Sequence, residues 1–397
     1  MTSQKRIDTF LKHQGQTNQS PYLIDVAKAE GIYIWDKNGK SYMDMIAGVA
    51  VNNIGHRHPK VVEAIKNQVD SHLHVMVYGE FLQDSQIALA DNLKSILPEE
   101  LDCSYIVNSG TEANEAAIKL AKRYTNRNEI IAFKKSYHGS THGSMSISGN
   151  EVKKASFRPL LPSIKHIEFN QLEDLKYITE KTAGVIVEPI QGDAGVRIPS
   201  LDYMLALREK CSAVGAQLIF DEVQTGIGRT GTFFAFERFK VIPDILTLGK
   251  ALGGGMPIGA FISSYEKMHE LTHNPMLSHI TTFGGHPVVC AAANACIEVL
   301  KEENWIAEVE SKGAYLEQLL IDHPKVKAIR RAGLMFAIDL NNFDEVKSVV
   351  DDCLDQGLIG FWFLSCPGSF RLSPPISITM DEVKKAGDII LSAFDKI

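Results

Sequence analysis

The sequence predicts an α/β protein whose mainly parallel central sheet is covered by helices, together with a smaller α+β domain. The main observation is a regular alternation of short apolar strands and helical segments that begins at Tyr105 and continues for roughly two hundred residues. A second is a hairpin pattern near the N-terminus, and a third is a mixed pattern of strands and helices after Pro287. The predicted strands of the central sheet are 105–107, 130–133, 185–187, 218–220, 245–248 and 258–262.

The two ends of the chain are predicted to form the smaller domain. Residues 31–36 and 40–45 are expected to pair around the turn Lys37-Asn38-Gly39. Helices are predicted over 59–69, 84–97, 288–300, 343–356 and 381–394, and further strands over 326–329, 334–340, 358–363 and 370–372. We therefore expect an N-terminal segment 1–55, a large domain 56–290 and a C-terminal small domain 291–397.

Composition disfavours several classes of protein. The 397 residues are 45% hydrophobic, so the chain can bury a large core, and its net charge of -7 without a basic block argues against nucleic acid as a partner. The start of the sequence has no apolar signal region, and the most apolar stretch, 246–261, is interrupted by Lys250, so we expect no membrane span and a cytoplasmic location. The six cysteines show no CxxC spacing, and no metal site is predicted.

An acid and a lysine follow two neighbouring strands of the predicted sheet. Asp221 comes directly after 218–220, and Lys250 follows 245–248 after one glycine. Ligands of open α/β sheets lie beyond the carboxyl ends of the strands, so we expect both side chains at one site. Pyridoxal phosphate requires such a pair, because a lysine binds its aldehyde and an acid keeps its ring nitrogen protonated. The alternative is an ordinary ion pair at the sheet edge.

Three further strand ends carry groups that this cofactor needs. Ser109 follows the first strand at the start of a helix, and with Glu112 it matches a capping box whose free N–H groups suit a phosphate. Tyr137 follows the second strand and offers a ring that can stack on a pyridine. Glu188 follows the third. Each has a plain structural explanation, but five polar groups at five strand ends favour the cofactor.

These segments resemble the class III (subgroup II) aminotransferases, the group that holds the acetylornithine, ornithine and 4-aminobutyrate aminotransferases. The similarity extends from GIYIWDKNGKSYMDMIAG to RLSPPISIT and includes NSGTEANEAAIKLA, YHGS, VEPIQG, LIFDEVQTGIGRTG, LTLGKALGGGMPIGA and TTFGGHPV. The resemblance implies the type I fold of pyridoxal phosphate-dependent transferases, pyridoxal 5'-phosphate as cofactor, amino acid and 2-oxo acid substrates, and a homodimer with shared active sites. It also implies ping-pong transfer of an amino group.

Carried over position by position, the resemblance assigns roles to individual residues. It makes Lys250 the lysine that binds the cofactor and carries the proton, and Asp221 the partner of the ring nitrogen. Tyr137 and Val223 would lie on the two faces of the ring, and Thr282 would reach the phosphate held by the neighbouring subunit. The full set of implied cofactor-binding residues is Ser109, Gly110, Thr111, Tyr137, His138, Glu188, Asp221, Val223, Gln224, Lys250 and Thr282.

The resemblance also implies how substrates are held. Arg371 occupies the position that clamps the carboxylate of glutamate or 2-oxoglutarate, a task that suits a planar guanidinium. Asp193 replaces the usual glutamate that neutralises this arginine when a substrate without a second carboxylate binds. Ser140 stands where the family usually has an arginine for a second carboxylate. Val49 stands where ornithine aminotransferases tend to have tyrosine, and Tyr78 is the last residue assigned to the substrate site.

We therefore expect the chain to move the distal amine of an ornithine-type donor, such as N-acetylornithine, to 2-oxoglutarate. Ornithine, 4-aminobutyrate or another ω-amino acid are alternative donors. An aminomutase, racemase or decarboxylase on the same fold is a further alternative. A binding or regulatory module that has lost catalysis is disfavoured, because Lys250 is present.

Overall fold

The computed structural model describes residues 3–397 of the chain. Its strands are β1 Val26–Glu30, β2 Tyr33–Asp36, β3 Ser41–Asp44, β4 Cys103–Val107, β5 Glu129–Phe133, β6 Ile164–Ile167, β7 Thr182–Val187, β8 Gln217–Asp221, β9 Ile245–Gly249, β10 Gly259–Ser263, β11 Ala328–Ala332, β12 Met335–Asp339, β13 Leu358–Ile359, β14 Phe361–Trp362 and β15 Ser369–Leu372. Its helices are α1 Ser3–His13, α2 Ala47–Ala50, α3 Pro59–Ser71, α4 Asp84–Ile96, α5 Gly110–Thr125, α6 His142–Ile147, α7 Glu151–Lys154, α8 Leu201–Val214, α9 Phe236–Phe239, α10 Tyr265–His269, α11 Pro287–Glu302, α12 Trp305–Leu320, α13 Phe343–Asp355 and α14 Met380–Phe394. Among residues 3–397, no helix has the length and apolarity needed to cross a membrane.

A seven-stranded sheet forms the centre of the molecule, in the order β4-β10-β9-β8-β7-β5-β6. All neighbouring strands are parallel except that β10 runs antiparallel to both β4 and β9. The predicted mainly parallel sheet is thus confirmed, but β6 was missed. Its sequence contains Lys165 and His166, because an edge strand is not covered on both sides and does not need a continuous apolar run.

The middle of this sheet is buried on both faces. Every residue of β7, β8 and β9 is buried, as expected for parallel strands between two layers of helices. The alanine-rich helix α5 packs closely on one face, and a Cβ atom at Gly184 of β7 would lie 3.0 Å from Cβ of Ala121. The small side chains of α5 therefore bring the start of this helix near the strand ends.

The smaller domain combines both ends of the chain, as predicted. In the sheet β1-β2-β3-β13, the C-terminal strand β13 runs parallel to the N-terminal strand β3. A second antiparallel sheet has the order β11-β12-β15-β14. The single predicted strand 358–363 is wrong, since it is divided at Gly360 into β13 and β14, which belong to different sheets. A Cβ atom at Gly360 would lie 2.4 Å from the ring of Phe370.

A fully buried arginine joins the two domains beside the sheet ends. The guanidinium of Arg229 donates to the carbonyl oxygens of Pro374 and Leu334 and to Oδ1 of Asn53. Burial and, to a smaller extent, the positive charge of Arg371 lower its pKa to about 9. Because Pro374 follows β15 closely, these hydrogen bonds help to fix the strand that carries Arg371.

Candidate active site

A cavity of about 420 Å³ opens at the carboxyl ends of the central strands, where the two domains meet. It is lined by Val49, Gly110, Thr111, Asn114, Tyr137, His138, Gly139, Ser140, Glu188, Asp193, Asp221, Val223, Gln224, Thr225, Lys250, Leu364 and Arg371. All the predicted site residues line it except Ser109, Tyr78 and Thr282. The size is that of a pocket for a small molecule with a cofactor.

The carboxylate of Asp221 is buried and held in one orientation. Its Oδ2 is 2.7 Å from both Nδ2 of Asn114 and Nδ1 of His138, and its Oδ1 accepts the N–H of Val223 at 3.0 Å. Nε2 of His138 has no partner within residues 3–397. Asn114 is in turn fixed by the hydroxyl of Thr247, which donates to its Oδ1 at 2.8 Å.

Lys250 follows β9 in a short 3-10 turn that faces the same cavity. Its ammonium makes no hydrogen bond or ion pair with any described residue, and its backbone has a φ of 43°, a conformation that non-glycine residues rarely adopt. Burial lowers the pKa of Lys250, the negative charge of Asp221 opposes this, and the positive charge of Arg371 adds to the lowering. The uncharged amine, which is the form that attacks an aldehyde, is therefore favoured.

The start of helix α5 presents its first N–H groups to the cavity beside Ser109. Oγ of Ser109 accepts the N–H of Glu112 at 3.3 Å, but the carboxylate of Glu112 accepts the N–H of Asn108 at 2.6 Å. Only one of the two hydrogen bonds of the predicted capping box is present, so the other half of that prediction is wrong. The carboxylate of Glu112 accepts the N–H of Asn108 instead of the N–H of Ser109. A Cβ atom at Gly110 would lie 2.5 Å from Cγ1 of Val223, so only glycine lets these two strand ends approach. A free helix N-terminus of this kind suits an anionic group.

Tyr137 stands at the edge of the cavity on a turn fixed by Glu188. One carboxylate oxygen of Glu188 accepts the N–H of Tyr137 and the other accepts the N–H of Gly192, both at 2.9 Å. Burial raises the pKa of Glu188 to about 7, although these two donors oppose the rise. The hydroxyl of Tyr137 is 3.2 Å from Oγ of Ser140. Glu188 thus positions the tyrosine and also lines the cavity.

Arg371 of β15 brings a buried cation to the cavity. Its guanidinium lies 5.1 Å from the ring centroid of Phe363 and makes no hydrogen bond or ion pair with a described side chain. Burial lowers the pKa of Arg371, while the charges of Asp193 and Glu188 oppose the lowering. Asp193 is near enough to affect Arg371 but forms no ion pair with it. Its carboxylate is bonded to Lys153, Ser365 and Leu364 instead.

Two predicted residues lie away from the cavity of this chain. Thr282 is exposed, and Tyr78 is half-buried in a different segment. Val49 and Ser140 lie at the exposed edge of the cavity. The sequence analysis missed Asn114, although a polar residue on the alanine-rich face of α5 was a usable signal. It also missed Lys153 and Ser365, which no motif indicated.

A buried carboxylate in a fixed orientation and a half-buried amine at neighbouring strand ends are the two groups that pyridoxal phosphate chemistry requires, which defines a pyridoxal phosphate-dependent enzyme of the α/β class. The family model "Aminotransferase class-III" matches residues 14–394, and the chain belongs to this family. Its cofactor is therefore pyridoxal 5'-phosphate, and the chain is an aminotransferase.

Curated relatives and solved structures agree with this assignment. The chain is 38% identical to the acetylornithine aminotransferase of Methanocaldococcus jannaschii over 389 residues, which covers 94% of this chain and 93% of the relative. It is 35% identical to the [LysW]-aminoadipate semialdehyde/glutamate semialdehyde transaminase of Sulfolobus acidocaldarius, covering 94% and 95%. The ornithine aminotransferase of Toxoplasma gondii, described with partial occupancy of pyridoxal phosphate at its active site, superposes with a TM-score of 0.92 at 29% identity, covering 100% of this chain and 95% of that one.

Proposed function

We propose that this aminotransferase moves the distal amine of an ornithine-type donor, such as N-acetylornithine, to 2-oxoglutarate. The observation that carries the proposal is the buried, unpaired Arg371 in the same cavity as Lys250, because such a cation suits the carboxylate of a 2-oxo acid. A relative named acetylornithine aminotransferase supports the choice of donor.

The residues of the cavity fit the cofactor. Lys250 is a half-buried amine that faces the cavity, and Gly110 lets the start of α5 approach Val223 more closely than any residue with a Cβ atom could. We propose that Ser109, Gly110 and Thr111 hold the phosphate, that Tyr137 and Val223 contact the ring faces, and that Gln224 contacts a ring oxygen. His138 and Glu188 fix Asp221 and Tyr137 in their positions.

When bound, pyridoxal phosphate withdraws electrons from the substrate carbon that loses its proton. Asp221, whose carboxylate is held in one orientation by Asn114 and His138, would keep a proton on the ring nitrogen. Nζ of Lys250, whose pKa is lowered by burial, would take the proton from the substrate carbon as a general base and release it again as an acid. Arg371 orients the carboxylate of the oxo acid.

A panel of donors tests the proposal directly. We expect N-acetylornithine to remove the visible absorbance of the reconstituted enzyme in a single turnover, and 2-oxoglutarate to restore it. Ornithine, 4-aminobutyrate and other ω-amino acids in the same panel reveal any other preferred donor. Failure of every distal amine to change the absorbance, with glutamate active, would contradict the proposed donor class.

Arg371→Ala is expected to raise the activation free energy of the half-reaction with glutamate by on the order of 3 kcal/mol. The rate should fall roughly a hundredfold, because a carboxylate in a buried site then lacks its bidentate partner. The half-reaction with the distal amine donor should suffer less. Asp193→Ala should show the opposite bias, because Arg371 then stays uncompensated when a donor without a matching carboxylate binds. Single-turnover rates for both half-reactions in both variants measure this. If each variant loses the same factor in rate in both half-reactions, Asp193 and Arg371 do not form a switch.

We propose that the chain works as a homodimer in the cytoplasm. Large apolar side chains are exposed on two segments that touch each other, since the rings of His74 and Phe283 are 5.2 Å apart. These exposed side chains are Leu73, Met76, Phe81, Leu82, Met276, Leu277, Ile280 and Phe283. An apolar surface of this kind is typical of a subunit interface. Thr282 lies within it, which supports a role at the phosphate of a second copy.

Thr282→Ala is expected to raise the dissociation constant of pyridoxal phosphate by roughly tenfold, the loss of the one hydrogen bond that a hydroxyl can donate to a charged group. Equilibrium dialysis of the protein stripped of cofactor measures this, and sedimentation velocity checks that the variant stays dimeric. The exposed Thr272, whose hydroxyl donates to the carbonyl oxygen of His269 at the end of α10, provides the control Thr272→Ala. A monomeric wild type, or unchanged cofactor affinity in a dimeric Thr282→Ala, would contradict shared sites.

We also propose that residues 1–55 and 291–397 form the small domain and residues 56–290 the large one. The pairing of β3 with β13 supports the assignment of both chain ends to one domain. The proposed boundary at residue 290 lies inside helix α11, so this helix extends from one domain into the other. Limited proteolysis of the cofactor-bound enzyme tests it.

A further inference from the structure

The carboxylate of Asp193 is surrounded by donors that hold it away from Arg371. Its Oδ2 accepts a hydrogen bond from the hydroxyl of Ser365 at 2.6 Å and pairs with the ammonium of Lys153 at 3.2 Å, and its Oδ1 accepts the N–H of Leu364 at 3.2 Å. Of these three partners, only Lys153 carries a compensating charge. Arg371, whose pKa responds to the charge of Asp193, contacts the ring of Phe363 but makes no hydrogen bond or ion pair with a described side chain.

Lys153 reaches Asp193 from a segment outside the catalytic strand ends. It lies in the short helix α7, and its N–H donates to Oδ1 of Asn150 at 3.3 Å, while Nδ2 of Asn150 donates to Oγ of Ser365 at 2.9 Å. The ammonium also lies 5.6 Å from the ring centroid of Tyr137, with 34% of the side chain exposed. Lys153 thus contacts two residues that line the cavity from its edge, without lining it itself.

We propose that Lys153 is a positioning residue that keeps Asp193 away from Arg371 and so leaves Arg371 free to bind a substrate carboxylate. Without the ammonium, the buried charge of Asp193 keeps only neutral donors, and Arg371, which already feels this charge, becomes available to compensate it. Asp193 would then compete with the substrate carboxylate for Arg371. The inference deepens the proposed function and rests on its use of Arg371 as the carboxylate site.

Binding of two unreactive acids to the cofactor-loaded enzyme tests this role by calorimetry. Glutarate carries two carboxylates and butyrate one, and neither has an amine or oxo group that could react. We expect Lys153→Met to raise the dissociation constants of both acids about threefold to tenfold, the range of a coupling between two contacting groups. Lys153→Arg should restore wild-type binding. Lys135→Met removes another exposed lysine after β5 without touching Asp193 and should change binding less than about twofold.

A double-mutant cycle separates positioning from direct binding. If Lys153 acts through Asp193, then Lys153→Met should have almost no effect on either acid in an Asp193→Ala background. The same loss in that background would overturn the proposal, because Lys153 would then attract the acid itself. A loss confined to glutarate would also overturn it, since it would make Lys153 the site of a second carboxylate. So would unchanged binding of both acids by Lys153→Met alone.

The proposed function is tested by a different measurement from the one that tests Lys153. Wild-type turnover with a distal amine donor and 2-oxoglutarate decides whether the enzyme has the proposed substrates, and it does not involve Lys153. Normal turnover together with a failed cycle would reject only the role of Lys153. A successful cycle in an enzyme that ignores every distal amine would reject only the donor.

Discussion

Lys250→Ala is expected to abolish transamination, with a fall in kcat of at least about 10⁴-fold, because the variant lacks both the amine that binds the cofactor and the group that moves the proton. Its buried surroundings favour the uncharged amine, and no other described side chain in the cavity is an amine that could replace it. Steady-state assays with N-acetylornithine as donor and 2-oxoglutarate as acceptor measure the fall.

The same variant should still fold and bind pyridoxal phosphate without a covalent bond, because the start of helix α5 and Asp221 remain. Equilibrium dialysis and the thermal midpoint Tm separate this expectation from simple unfolding. Lys66→Ala, which removes an exposed lysine on α3, is the matched control and should keep full activity. A Lys250→Ala protein that transaminates within tenfold of wild type would refute the assignment of the amine.

Asp221→Asn is the second large effect and should act on rate more than on binding. The carboxylate stabilises a positive charge on the cofactor that matters most when the substrate carbon loses its proton. Its loss should cost about 2 to 4 kcal/mol in the barrier, or roughly two to three decades in the rate of proton abstraction. A larger isotope effect with donor deuterated at the reacting carbon would accompany the slower rate.

A carboxylate at the other end of the sheet provides the control for Asp221→Asn. Asp244 precedes β9 and pairs with Arg208 at 2.8 Å, so Asp244→Asn should reduce stability without changing proton abstraction. Near-normal single-turnover rates for Asp221→Asn with intact cofactor would contradict its assigned role.

The strand ends show how far sequence alone can predict the site. Asp221 and Lys250 were predicted from an apolar run followed by a charged group, because the parallel sheet brings the ends of all its strands to one edge. Arg371 was predicted only by resemblance. Its strand pairs with β12 in another sheet, and no local pattern indicates that its side chain is buried at the cavity.

Contacts between distant segments could not be predicted in the same way. The pairing of Asp193 with Lys153 joins a strand-end loop to a short helix some forty residues earlier, and long polar side chains of this kind look like ordinary surface residues in a sequence. The division of 358–363 into β13 and β14 likewise depends on which sheet each half meets. The capping box was predicted with Glu112 accepting the N–H of Ser109. In the structure Glu112 accepts the N–H of Asn108, a shift of one residue that the sequence does not show.

The central claim is that Lys250, Asp221 and Arg371 form one site that carries an amino group between two substrates in turn. Its most direct test is an absorbance titration of the reconstituted wild type with glutamate alone, followed by 2-oxoglutarate alone. Glutamate should remove the visible absorbance and release one equivalent of 2-oxoglutarate per site, and added 2-oxoglutarate should restore it. Visible absorbance that persists with saturating glutamate and with every distal amine donor would contradict the account.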